Sequence, residues 1–116
     1  MTALVKPLTW VLGLVLVLVG IVGFFMDPIV FFDVNAAHNV VHLLSGAVAL
    51  IAASNGHAAS RMYLIVFGLV YAAVTVLGFM NVQMVVDLLE INAADNVLHL
   101  AIATACLAVG FGSRNV

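Results

Sequence analysis

Four long apolar runs constrain the fold of this chain more than any other feature. They cover roughly residues 8–26, 36–53, 62–80 and 93–111, about 18 or 19 residues each. As an α-helix, such a run is about 27 Å long, close to the bilayer hydrocarbon core of about 30 Å. A barrel strand would instead alternate apolar and polar residues, and no such alternation is seen. The sequence therefore predicts an all-α membrane protein, a bundle of four transmembrane helices.

The composition supports a membrane location and narrows the choice of partners. Hydrophobic residues make up 66% of the 116 residues and charged residues 7%, whereas soluble domains contain about 25% charged residues. The net charge is -2, and the three cations are too scattered to form the basic patch that nucleic acid requires. We expect the lipid bilayer as the main partner, with a homo-oligomer or a larger membrane complex as further candidates.

The three cations also predict the orientation. Lys6 precedes the first run, Arg61 lies in the loop before the third, and Arg114 follows the fourth. Because successive helices run in opposite directions, all three fall on one side of the membrane, and an excess of Lys and Arg marks the cytoplasmic side. We therefore expect a multi-pass protein of the plasma membrane with both termini in the cytoplasm.

The two loops on the opposite side are predicted to contain short segments at the membrane interface. In residues 81–91 apolar residues recur at helical spacing while Gln83, Asp87 and Glu90 fall on the other face, which favours an interfacial helix. In the first outer loop, Asp27 before Pro28 is typical of a helix N-cap followed by proline at the first helical position. Both segments are expected to cover the outer end of the bundle.

The sequence also contains an internal repeat. The stretch NAAHNVVHL begins at Asn35, and NAADNVLHL begins fifty-seven residues further on, at Asn92. Two glycines recur fifty-five residues further on, Gly13 as Gly68 and Gly23 as Gly78.

This repeat predicts a single domain, residues 1–116, made of two helical hairpins over about residues 8–53 and 62–111. Two helices return the chain to the side from which it started, so the hairpins have parallel topology. They are then expected to be related by a pseudo-two-fold axis along the membrane normal.

The polar start of the second and fourth helices is explained first by capping. Asn35 and Asn92 are predicted to be N-caps, whose side-chain oxygens accept from backbone amides of the first turn. Asp95 follows Asn92 by three positions, where the helix dipole favours an acid and a capping box is expected. His38 occupies the equivalent place after Asn35, and we expect it to be neutral.

His42 and His99 are candidate functional residues because they lie inside the apolar slab. Each follows His38 or Asp95 by four positions and so lies on the same helix face. Ionisable groups at this depth are expensive, normally face the bundle interior and mark functional sites. If the two helices meet at the axis, His38, His42, Asp95 and His99 converge. Asn39 and Asn96, one position along, are expected to hydrogen-bond to this cluster.

Three interpretations of the cluster are open. The four side chains could hydrogen-bond to one another as a polar clasp that fixes the helix register. They could instead ligate a transition metal, Zn, Fe, Cu or Ni. A third alternative is a haem b held by His42 and His99.

Small residues continue both helix faces below the histidines. Because small residues let backbones approach closely, the second and fourth helices are expected to pack together at the centre of the bundle. Cys106 is interpreted as a packed thiol. These small residues are Ser45, Gly46, Ala49 and Ala53 on the second helix, and Ala103, Cys106 and Gly110 on the fourth.

The paired blocks HNVVHLLSG and DNVLHL, each opening a helix after an N-x-x cap, resemble a family of small bacterial four-helix membrane proteins classed as a domain of unknown function. The resemblance covers nearly the whole chain. The family pattern falls on six residues: His38, Asn39, His42, Asp95, Asn96 and His99. The resemblance implies a bacterial inner-membrane protein and carries no established activity.

Two classes of function follow. The sequence contains no nucleophile–base pair and no phosphate-binding loop, which favours a non-catalytic structural or accessory membrane protein over an enzyme. The alternative is a metal-binding or haem-binding protein, redox-active or not, that uses the histidine cluster.

Overall fold

The computed structural model describes residues 1–29 and 32–114. These residues form five α-helices after a single 3-10 turn at Thr2–Leu4. Four of them, with the 3-10 turn counted into the first, are long and apolar enough to cross a membrane, which confirms the predicted spans. The helices are α1 (Val5–Gly23), α2 (Ala36–Ser54), α3 (His57–Phe79), the short α4 (Gln83–Leu89) and α5 (Ala93–Gly112).

The closest helix packing is within each hairpin, α1 against α2 and α3 against α5. Glycine makes this approach possible, because a Cβ atom at Gly13 would lie 2.7 Å from Leu50 Cδ2. At Gly68 a Cβ atom would lie 2.8 Å from Leu107 Cδ2. These two pairs are equivalent under the sequence offsets described above. They support the predicted internal repeat. The repeat and its pseudo-two-fold axis remain predictions.

The expectation that the small faces of α2 and α5 pack directly together is wrong. Gly46 faces Val17 of α1, and Gly110 faces Ile65 of α3, so both glycines serve their own hairpins. The two hairpins are joined mainly through α3, which packs on both α1 and α2. The physical reason is that larger side chains fill the space between the two helices. These include the histidines and a buried cluster in which Ala49 and Cys106 pack with Tyr63 and Leu64, so Cys106 is a packed thiol as expected.

At one end of the bundle the N-terminal turn and residues 113–114 meet the start of α3. Arg61 Nε donates to Ser113 Oγ at 3.2 Å, and Arg114 N donates to Thr2 Oγ1 at 3.1 Å. His57 Nε2 lies 2.6 Å from the Arg114 carbonyl oxygen. Two of the three cations therefore lie at one end, beside the N-terminal turn, as their spacing predicts.

The opposite end is covered by α4, which confirms the predicted short helix in this loop, while its position at the membrane interface stays a prediction. Asn35 Nδ2 donates to the Leu88 carbonyl at 2.9 Å and so ties the end of α4 to the start of α2. The predicted helix after Pro28 is wrong for the described residues of the first outer loop, because Ile29 and Phe32 exchange two backbone hydrogen bonds of 2.9 Å. Asp27 Oδ1 accepts from Val34 N at 3.4 Å across the loop instead of capping a helix. Residues 30–31 lie outside the described residues.

Candidate metal centre

Two asparagine caps fix the start of the helices that carry the site. Asn35 Oδ1 accepts from His38 N at 2.9 Å, and Asn92 Oδ1 accepts from Asp95 N at 2.8 Å. Both contacts confirm the predicted N-caps. Because each cap sets where its helix begins, it also sets the depth of the histidine that follows, His42 on α2 and His99 on α5.

Three histidines converge between the two hairpins. One ring nitrogen from each of His38, His42 and His99 lies within 4.8 Å of the others. The ring centroids are 4.3 Å apart for His38 and His42, 5.6 Å for His38 and His99, and 6.3 Å for His42 and His99. All three side chains are buried, with 2%, 5% and 2% exposure in chain order. The predicted convergence of these three residues is therefore observed.

The imidazoles do not satisfy one another. Both ring nitrogens of His38 and the Nδ1 atoms of His42 and His99 are buried and make no hydrogen bond of normal geometry among the described residues, although the His38 ring lies near the backbone of Leu89. Buried polar atoms are nearly always paired, and each exception requires an explanation such as a water molecule or an ion. The hydrogen-bonded clasp that the sequence suggested is therefore not the arrangement found.

Asp95 stands apart from the three imidazoles. Its Oδ2 accepts from Asn92 N at 3.0 Å, which completes the expected capping box at the start of α5. The group of potential ligands found among the described residues contains the three histidines without Asp95. The carboxylate does lie close by, since Asp95 and His42 line a second small cavity beside the first outer loop.

Asn39 and Asn96 contact glycines of the neighbouring helix. A Cβ atom at Gly23 would overlap Asn39 Oδ1, and a Cβ atom at Gly78 would overlap Asn96 Oδ1. Neither amide oxygen has a conventional hydrogen-bond partner among the described residues. The recurrence of this geometry in both hairpins suits a Cα–H···O contact. The amide nitrogens, Nδ2, are the atoms that would donate to the histidines, and this expected hydrogen bond stays a prediction.

A cavity of about 40 Å³ adjoins the three imidazoles. Ser45 and Tyr71 also line it, and both side chains are 5% exposed. The Tyr71 ring centroid is 5.6 Å from that of His99. Tyr71 Oη lies near Ser45 but makes no hydrogen bond of normal geometry within the described chain.

Ser45 and Tyr71 are members of this site that were not predicted from the sequence. Ser45 follows His42 by three positions and so shares its helix face, a signal that was available. Tyr71 comes from α3, and only the packing of α3 against α2 and α5 brings it to the histidines.

The chain matches a known protein family over almost its whole length. Residues 6–112 match the family described as Domain of unknown function (DUF4383). The chain belongs to the DUF4383 family. This result confirms the resemblance to a four-helix membrane family of unknown function, and the match includes the DUF4383 helices that carry all three histidines. No match was found among curated proteins or among solved structures.

The donor set of this DUF4383 chain suits one kind of ligand. Neutral imidazole nitrogen binds Zn, Cu, Fe and Ni, and three histidines with one open position form a common coordination set for zinc. Ligand atoms on a tetrahedral shell of 2.0–2.1 Å are about 3.3 Å apart. The ring nitrogens already lie within 4.8 Å of one another, so they would have to approach by at most about 1.5 Å to reach that spacing.

Proposed function

We propose that this membrane protein binds one divalent transition-metal ion, Zn, Fe, Cu or Ni, through His38, His42 and His99. The observation that carries the proposal is the set of buried ring nitrogens without partners, gathered from two hairpins. A buried polar atom left unpaired costs about 1–3 kcal/mol. Coordination of an ion uses these lone pairs directly and removes that cost.

The metal site explains more of the geometry than a purely structural role. A structural or accessory protein, the function favoured by the lack of a catalytic pattern, accounts for the capping box and for the asparagine contacts to glycine. A purely structural role leaves ring nitrogens of three adjacent histidines unpaired in an apolar slab. Asp95 is not included in the proposed ligand set, because its Oδ2 accepts from Asn92 N at the start of α5.

The space around the histidines favours an ion over haem b. The two cavities lined by these histidines measure about 40 and 130 Å³, whereas sites for small organic ligands and cofactors measure about 300–1,000 Å³. His38 also lies 4.3 Å from His42, centroid to centroid, which leaves little room for a porphyrin at the His42 ring.

Metal analysis of purified protein tests the proposal. The full chain is purified in mild detergent without chelators, offered each of the four ions in turn, and assayed by mass spectrometry. We expect about one ion per chain for wild type and loss of most of it in His99→Ala. His57→Ala is the matched control, since His57 lies at the opposite end of the bundle and contacts only a backbone carbonyl among the described residues. A wild type that retains none of the ions would overturn the proposal.

We also propose that the protein resides in a bacterial inner membrane with both termini in the cytoplasm. The support is the positive end of the bundle, where Arg61 and Arg114 lie beside the N-terminal turn, together with the positive-inside rule. The metal site then lies near the outer face. Reporter fusions to the C-terminus and to the loop around Glu90 test this orientation, and an extracytoplasmic signal from the C-terminal fusion would contradict it.

A further inference from the structure

We infer that the open position of the metal takes a small uncharged molecule that arrives from the lipid phase. The inference rests on the proposed metal site and goes beyond it by assigning the class of ligand and its route. It is carried by the shape and lining of the cavity beside the histidines.

The cavity is small and uncharged. Its volume of about 40 Å³ exceeds the about 10–15 Å³ that one water molecule needs, so it has room for a diatomic or triatomic molecule. Among the described residues that line it, the polar groups are the imidazoles, Ser45 and Tyr71, and none carries a formal charge when histidine is neutral. An anion entering this space would lose its hydration without a cation other than the metal to replace it.

Valine side chains form the side wall that separates the cavity from lipid. Val41 of α2 and Val70 of α3 line the cavity and are also 41% and 49% exposed on the outer surface of the bundle. Val74 completes this wall one turn further along α3. Valine rotamers change on the nanosecond scale at exposed positions, so a small apolar molecule dissolved in the bilayer has a short route to the histidines.

The route from water is covered. Leu89, the last residue of α4, lines the cavity from the outer end. The hydrogen bond from Asn35 Nδ2 to the Leu88 carbonyl ties this end of α4 to the cap of α2. On this side a hydrated ligand would have to displace α4, whereas a lipid-soluble one passes between Val41 and Val70. The second cavity reaches His42 from the first outer loop, and apart from His42 and Asp95 its lining is apolar.

Tyr71 supplies a polar contact for the bound molecule. Its hydroxyl is buried, lines the same cavity and has no hydrogen bond of normal geometry within the described chain. A ligand atom on the metal would give this hydroxyl an acceptor. Tyr71 is therefore assigned as the residue that orients the ligand rather than as a metal ligand.

Nitric oxide and azide are suitable probes, because both are small but only nitric oxide is uncharged at pH 8. Full-length protein is placed in lipid nanodiscs, loaded anaerobically with Fe²⁺ and assayed for iron content. Each probe is added, and formation of the iron–nitrosyl complex is followed by electron paramagnetic resonance after freeze-quenching, with azide binding followed by absorption. We expect nitric oxide to bind at least about tenfold faster than azide, consistent with an ion's desolvation cost of several kcal/mol.

The route is tested by a matched pair of substitutions on α3. Val70→Phe places a ring in the cavity wall, whereas Val76→Phe makes the same change at a position that is 55% exposed and does not line this cavity. Nitric oxide binding is expected to slow at least about tenfold, equivalent to 1.4 kcal/mol in the barrier, in Val70→Phe only. Tyr71→Phe is expected to keep the rate and to change the nitrosyl spectrum.

The outcomes separate this inference from the metal proposal. Protein that retains iron but does not bind nitric oxide overturns the ligand assignment and leaves the metal site standing. Equal rates for nitric oxide and azide, or equal rates in Val70→Phe and Val76→Phe, overturn the lipid route. Absence of iron from the loaded sample overturns the ligand assignment, and the metal site itself is overturned only when none of the four ions is retained.

Discussion

His38 and His99 belong to helices of different hairpins, yet their ring centroids lie 5.6 Å apart. The backbones of the two helices, α2 and α5, make no close contact along their described lengths. The histidine side chains therefore bridge a gap that the backbones leave open, and this arrangement supports the proposed metal site.

Metal removal should destabilise the bundle. An ion that binds only the folded state stabilises it by about 2.7 kcal/mol when its free concentration is 100 times Kd. We expect the Tm of the protein in detergent to rise on adding the bound metal and to fall on adding chelator. In His99→Ala both shifts should disappear, while His57→Ala should respond as wild type does. Identical Tm values with and without metal would be incompatible with ligation across the two hairpins.

His42 and His99 should be energetically coupled. Each substitution by Ala removes one ligand and leaves the other imidazoles with unpaired nitrogens, so the second substitution costs less than the first. We expect the double mutant to be less destabilised than the sum of the single mutants, by about 0.5–3 kcal/mol. The measurement is a double-mutant cycle of unfolding free energies in the presence of metal. Strict additivity would place the two side chains in separate environments.

Asp95 should contribute to stability but not to metal content. Asp95→Ala removes the carboxylate that accepts from Asn92 N, and loss of a capping interaction costs about 1 kcal/mol. Asn92→Ala, which removes the other half of the capping box, is the matched variant and should cost a similar amount. Both proteins are expected to retain the wild-type metal stoichiometry. Loss of the ion from Asp95→Ala alone would instead make this residue a fourth ligand.

The glycines that face the asparagines should resist substitution. Gly23→Ala and Gly78→Ala would force Cβ into the amide oxygens of Asn39 and Asn96, and overpacking of this kind costs about 1–3 kcal/mol. Adding Asn39→Ala to Gly23→Ala should recover part of the lost stability, because the overlapping atom is removed. Gly112→Ala serves as the control, since its nearest contact is the Met1 side chain at 3.3 Å. The free energy of unfolding in detergent is measured for all four variants. Equal losses of stability in Gly23→Ala and Gly112→Ala would argue against the close contact at Gly23.

The sequence predicted the helices and most of the site for identifiable reasons. Run length alone determines where a chain can cross a bilayer, so the four spans were correct. The repeat placed His42 and His99 at equivalent depths, and this equivalence predicted that they meet. Asp95 was grouped with them because helix spacing puts it on the same face. The same spacing also predicted the capping box with Asn92, which is the contact that the carboxylate makes, but spacing alone could not decide between the two roles.

Other features depended on contacts between distant segments. Tyr71 joins the site through the packing of α3, which no local pattern encodes. The direct packing of α2 on α5 was predicted from small residues, but glycine also suits packing within a hairpin, and that is where Gly46 and Gly110 are used. In the first outer loop, Asp27 Oδ1 accepts from Val34 N across the loop. An Asp before Pro28 suits this contact as well as it suits a helix cap, so the dipeptide alone could not predict which one forms.

X-ray absorption at the metal edge tests the central claim most directly. The full-length protein, loaded with its preferred ion in detergent, should give first-shell nitrogen scattering at about 2.0–2.1 Å with multiple scattering from three imidazoles. His42→Ala should reduce this contribution to two imidazoles or abolish binding. A wild-type spectrum without imidazole scattering, or with a sulfur ligand at about 2.3 Å, would contradict a centre built from His38, His42 and His99.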